Sequence, residues 1–167
     1  MLATTQDASP THATQGSASP WLKAVATAGL AVGVLDALDG VAFFGITAHR
    51  SPIQVLQFIA SGAIGPSAYE GGLATAGLGA LFHFGISFVV AAIYIAAYRR
   101  SAFVRSRWVA TGLAFGVAIW GVMNLAVVPL SAIGQWPDTA SLIHGVIGHA
   151  LTVGLTTAYV ARRVLGA

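Results

Sequence analysis

The sequence predicts an all-α integral membrane protein, a bundle of four spanning helices with a short interfacial or re-entrant helix between spans one and two. Three observations predict it. Of 167 residues, 56% are hydrophobic and only 8% are charged, against about 25% charged in a soluble domain. The apolar residues gather in four long tracts, each near the ~20 residues that cross ~30 Å of hydrocarbon at ~1.5 Å per residue. The tracts are rich in Ala, Leu and Gly without period-two alternation, which argues against a β-barrel. Lipid offers backbone amides no partner, so such tracts must be helical.

Residues 1–20 are mostly Ala, Thr, Ser, Gln and Pro. They bury too little apolar surface to offset the entropy of ordering, so a disordered cytoplasmic tail is expected. The segment lacks the basic start and apolar core of a secretory signal. Residues 21–167 then form a single transmembrane domain. The first span covers about Leu22–Ile46 and contains Lys23, Asp36 and Asp39. Ser51-Pro52 supplies an N-cap and first helical position for a short helix over about 52–61, which Gly62 stops. Ten residues rise only about 15 Å, too little to span. Gln54, Gln57 and Ser61 fall on one stripe, expected as the polar face of a helix lying at the interface. The second span covers about Gly71–Tyr98 and the third about Trp108–Ile133, with Pro129 ending or kinking it. The fourth covers about Leu142–Val160.

Charge sets an orientation. Lys23, Arg99, Arg100, Arg105, Arg107, Arg162 and Arg163 fall on one side of this topology, with Arg50 alone on the other. Basic residues in short loops mark the cytoplasmic face, so both termini are expected there. Trp21, Tyr98, Trp108 and Tyr159 would form the inner aromatic belt, and Tyr69 and Trp136 the outer one. The net charge of +3 makes no clustered basic stripe, so nucleic acid is not an expected partner. The absence of cysteine removes disulfides, thiolate chemistry and iron–sulfur clusters. No phosphate-binding loop, dinucleotide fingerprint or Gly-x-Ser-x-Gly motif is present, so no catalytic residue is marked.

Close helix contact in lipid relies on small residues. Stripes of that kind run along Gly29, Gly33 and Gly40; Gly71, Thr75, Gly79, His83, Ser87 and Ala91; Gly112, Gly116, Trp120 and Asn124; and His144, Gly148, Thr152 and Thr156. They direct Asp36, His83 and Asn124 inward. An ionisable group in a span costs at least ~2.5–3.5 kcal/mol and needs a partner. Asp36, Asp39, His83, Asn124 and His149 form the candidate cluster, all in the outer half or at the midplane by residue count. At ~1.5 Å per residue Asp36 lies about 15 Å deep and His83 about 17 Å, with His144 about 3 Å from the boundary. His144 is therefore expected to be interfacial only.

Three readings of the cluster compete. A packing knot pairs Asp36 with His83 or His149, while Asn124 bridges helices. A proton- or ion-linked site uses the same carboxylate–imidazole pairs, with Asp36 and His83 foremost. A metal or haem site would draw on Asp36, His83 and His149, although no bound cofactor is the leading expectation. The lipid bilayer, a second copy of the chain or a membrane complex are the expected partners.

Four segments carry a resemblance: Gly33-Val-Leu-Asp36, Leu56-Gln-Phe-Ile-Ala-Ser-Gly62, Leu81-Phe-His83-Phe and Met123-Asn-Leu-Ala-Val-Val-Pro-Leu-Ser131. They resemble small uncharacterised bacterial inner-membrane proteins over about Gly29–Arg163. A more distant similarity to YagU-like inner-membrane proteins covers the last three helices. The resemblance implies an inner-membrane location and four-helix architecture, and it brings no established reaction.

Overall fold

Most of the helix boundaries follow from local signals. In the computed structural model, which describes residues 19–166, helix α1 (Pro20–Ala48) starts on a proline, whose missing N–H costs nothing in a first turn. Pro20 is thus helical rather than part of a tail, and the disorder expected for residues 1–18 lies outside the described residues. Ser51 and Gln54 cap helix α2 (Pro52–Ile64) reciprocally: Ser51 Oγ accepts from Gln54 N at 3.3 Å, and Gln54 Oε1 accepts from Ser51 N at 2.9 Å. A 3₁₀ turn over Gly65–Tyr69 then leads into α3 (Gly72–Arg100).

The stripe expected as the polar face of α2 points the other way. Gln57 and Ser61 are each only 4% exposed. Gln57 Nε2 donates to Gly72 O at 3.1 Å and to Thr75 Oγ1 at 3.3 Å, which joins α2 to the start of α3. Ser61 Oγ returns to Phe58 O at 2.7 Å. A buried amide must find partners, and the first turn of α3 supplies them. Only Gln54 of the three stays at the surface, in the cap.

Helix α4 (Ala102–Ser106) is a single turn whose Arg105 donates to the carbonyls of Tyr98 and Arg99, at 3.0 Å each, closing the end of α3. Helix α5 (Trp108–Leu130) widens to π-type winding over Met123–Val127, just ahead of Pro129. Proline has no N–H to continue the ladder. The helix ends at Leu130 rather than near Ile133, because Ser131 Oγ caps Val128 O at 2.7 Å and Ala132 N leaves the ladder to donate to Gly62 O at 3.0 Å. Helix α6 (Thr139–Leu165) begins three residues before Leu142 because Asp138 caps it, accepting from Ser141 N at 3.0 Å. It too has a π-type stretch, over His149–Leu155.

No strand occurs among the described residues, and α1, α3, α5 and α6 are long and apolar enough to cross a membrane. Helix α1 packs between α3 and α6, α5 packs on α6, and α2 lies against α3. Glycine sets these distances. A Cβ at Gly29 or Gly33 would strike the rings of Phe88 and Phe84, and one at Gly79 the backbone of Leu56. Gly112, Gly116 and Gly154 bring α5 and α6 into backbone contact.

Ala24, Ala28, Ala91, Tyr94, Ile95, Tyr98, Ala158 and Ala161 fill the bundle at the arginine-bearing end, with Val32, Val90 and Val153 in the next layer. Tyr94 and Tyr98 satisfy their hydroxyls on Thr111 Oγ1 at 3.0 Å and Gly166 O at 2.7 Å. Leu30, Leu38, Leu73, Leu81 and Leu130 face outward, each more than half exposed. Apolar cover on that scale suits a lipid surrounding.

Candidate functional site

Beyond the valine layer the inward stripe of α1 changes character. Ala24, Ala28 and Val32 are buried apolar residues, and the next position on that four-residue repeat is Asp36. From there to the end opposite the arginines, the helices enclose a cavity of about 330 Å³. Asp36, Asp39 and Phe43 line it from α1, Val55 and Phe58 from α2, and His83 from α3. Trp120 and Asn124 come from α5, and His144 and His149 from α6. Arg50, Trp136 and Asp138 stand among the lining residues contributed by the connecting loops.

The five residues grouped from sequence thus share one cavity, but they are not a buried, mutually bonded cluster. Asp36, His149, Asp39 and His144 have side chains 19%, 22%, 31% and 35% exposed. They form two pairs across the α1–α6 seam. His144 Nε2 donates to Asp39 Oδ2 at 3.0 Å, with its ring stacked on Phe43 at a centroid distance of 4.0 Å. His149 Nδ1 lies 3.8 Å from Asp36 Oδ1, close enough for an ion pair and too far for a hydrogen bond. Thr152 Oγ1 stands 2.9 Å from Asp36 Oδ1 and also 2.9 Å from Gly148 O, so one hydroxyl proton serves two acceptors.

Gly148 lets this seam close, since a Cβ there would sit 2.6 Å from Asp39 Oδ2. The His144–Gly148–Thr152 stripe is accordingly the face of α6 that meets both aspartates. Two of the residues facing the cavity occur where winding is wider than α: Asn124 in the π segment of α5 and His149 at the start of that in α6. Such segments recur at functional sites.

Three expectations require correction. His83 does not pair with Asp36; its Nε2 donates to Gly33 O at 2.8 Å, reaching α1 one turn short of the carboxylate. Asn124 does not bridge helices, because its amide donates to Trp120 O at 3.1 Å within α5. His144 is a partner of Asp39 rather than a bare interfacial residue. The Asp138 cap lengthens α6 at its start, so His144 lies about 7 Å into the helix instead of about 3 Å. That cap, an Asp three residues before Ser141, was the signal in the sequence. Among the described residues no three His, Asp or Glu side chains converge as metal ligands, and His83 has already committed one ring nitrogen to Gly33.

No family model matches the chain, and no curated protein or solved structure matches it. The likeness to small inner-membrane proteins therefore rests on the four segments alone.

Proposed function

We propose that the chain is a multi-pass protein of the bacterial inner membrane that takes up protons or small cations from the non-cytoplasmic side at the Asp36–His149 and Asp39–His144 pairs. The observation that carries this reading is the alignment of two carboxylate–imidazole pairs along one helix seam beside a cavity, at 3.0 and 3.8 Å. Imidazole is the side chain whose charge changes between about pH 5 and 8, and ionisable groups in spans mark ion paths and relays. The arginine-rich end, with both termini, is assigned to the cytoplasm by the bias of basic residues. The alanine and tyrosine core at that end supports a site loaded from one side rather than an open channel. A through-path then needs a second copy or another membrane subunit.

A second reading is an accessory subunit in which these groups only fix packing. The Thr152–Asp36 and His83–Gly33 bonds favour it, since both join helices. Asp36→Asn separates the two, because the amide oxygen still accepts from Thr152 while the charge is gone. In dye-loaded proteoliposomes under an imposed pH gradient, wild type is expected to take up protons and Asp36→Asn to lose most of that uptake with its thermal midpoint unchanged. Equal uptake in both proteins would sink the proton reading and leave the packing one.

A further inference from the structure

Apart from Arg50, which lines the cavity, charge is segregated along the bundle axis. Asp36, Asp39, Glu70 and Asp138, the acidic residues among those described, all lie in the cavity half or its loops, while Lys23, Arg99, Arg100, Arg107, Arg162 and Arg163 are exposed at the other end. Among the described residues none of these six side chains makes an ion pair or a hydrogen bond within the protein. Arg105 is the exception at this end, spent on the carbonyls of Tyr98 and Arg99.

Four of the arginines instead lie over aromatic rings at cation–π range. Arg99 lies over Trp21 at 6.0 Å, Arg107 over Phe103 at 5.4 Å, Arg162 over Trp108 at 5.1 Å and Arg163 over Tyr159 at 5.7 Å. A cation–π contact consumes no N–H donor, so the guanidinium N–H groups stay available to phosphate oxygens, which arginine can bind in pairs. Trp and Tyr rings of this kind settle at headgroup depth. Arg99 and Arg100 also border, with Ala96, a cleft of about 160 Å³ on α3.

We infer that this end is a binding surface for anionic phospholipid headgroups, with the Ala96–Arg99–Arg100 cleft as its principal seat. Ala96 in the cleft and the exposed Ile93 lie three residues apart along α3 and give an acyl chain an apolar strip to descend beside that helix. A free anion would use the arginines but not that apolar strip. The inference is independent of the proton reading, since it draws on the opposite end of the molecule.

The test is thermal unfolding in neutral detergent with added phosphatidylglycerol, phosphatidylcholine or inorganic phosphate. Phosphatidylglycerol is expected to raise the midpoint, and the other two are not. Arg99→Gln with Arg100→Gln is expected to weaken the phosphatidylglycerol response roughly thirtyfold in concentration, from the usual worth of two cations at an anionic surface. Arg162→Gln with Arg163→Gln is expected to weaken it less. Equal stabilisation by phosphatidylcholine, an equal response to free phosphate, or an undiminished response in the Arg99/Arg100 variant would each overturn the inference.

Discussion

Gly148→Ala tests whether the α1–α6 seam is a site rather than a packing detail. The new Cβ would lie 2.6 Å from Asp39 Oδ2, whereas ordinary contact begins at 3.4 Å, so the carboxylate must retreat by about 0.8 Å. The same Cβ would lie 3.9 Å from His144 Nε2, so the retreat runs nearly at right angles to the 3.0 Å His144–Asp39 bond and bends that bond more than it lengthens it. The obstructing atom ends a side chain, so the backbone need not move. Weakening one exposed-edge hydrogen bond costs about 0.5–1 kcal/mol, and alanine in place of glycine in a helix returns about 0.8–1 kcal/mol. Stability is therefore expected to change by less than about 0.5 kcal/mol, a shift of about 2 °C or less in the thermal midpoint. The local change is read in imidazole nitrogen NMR, where the His144 Nε2 signal should move while that of His83, bonded to Gly33 O, stays in place. An unmoved His144 resonance would refute the reasoning, as would a loss of stability matching that of a backbone clash.

Such a clash is expected at Gly116, where a Cβ would meet the backbone of His149 and Ala150. Gly116→Ala should cost about 1–3 kcal/mol, while Gly121→Ala, with nothing within 4 Å, should be neutral or stabilising; chemical denaturation of both checks the contrast. Asp138 is held below the usual carboxylate range chiefly by the backbone N–H of Ser141. Its capping contribution is present above the unfolded value of 3.8 and is lost as pH falls through the lower folded one. Amide exchange of Ser141, corrected for intrinsic rate, should accelerate only in that acid window, and Asp138→Ala should abolish the pH dependence.

The spans were legible because membrane crossing is a matter of length and apolar composition, which a sequence states directly. Their ends were less so. α5 stops at Leu130 because Ser131 and Ala132 find acceptors on Val128 and Gly62, and the second of these is a tertiary bond. The orientation of α2 was misread for a related reason. A polar stripe on a short helix signals water or headgroups only when no neighbouring backbone needs satisfying, and here Gly72 and Thr75 take Gln57 inward. Asp36, Asp39, His83, Asn124 and His149 were found from the cost of polar groups in apolar tracts. Their pairing depended on which helices are neighbours. With α6 rather than α3 opposite the aspartates, His144 and His149 become partners, and His83 turns to the Gly33 carbonyl.

That neighbour relation explains why carboxylates and imidazoles are tolerated at this level, whereas the buried core below it holds hydroxyls such as Thr157 but no such group among the described residues. Toward the arginines, the stripe Ala24, Ala28, Val32 meets alanine, valine and tyrosine side chains small or shaped enough to exclude space. At Asp36 the same stripe meets Thr152 and His149, just where α6 leaves α-type winding. Thr152 Oγ1 also makes an i−4 hydroxyl bond to Gly148 O at 2.9 Å, the bond that Ser87 and Thr157 make to His83 O and Val153 O. The hydroxyl is then divided between Gly148 and Asp36, and the Asp36 carboxylate holds a half-share of one donor and an imidazole at 3.8 Å. The Asp39 carboxylate, by contrast, has a full bond to His144. On the proposed reading, Asp36–His149 is the pair whose bonding has more to gain from an arriving proton or cation, and it is the less exposed of the two. Uptake should therefore respond more strongly to Asp36→Asn than to Asp39→Asn, and the reverse order would place the responsive group at the Asp39–His144 pair.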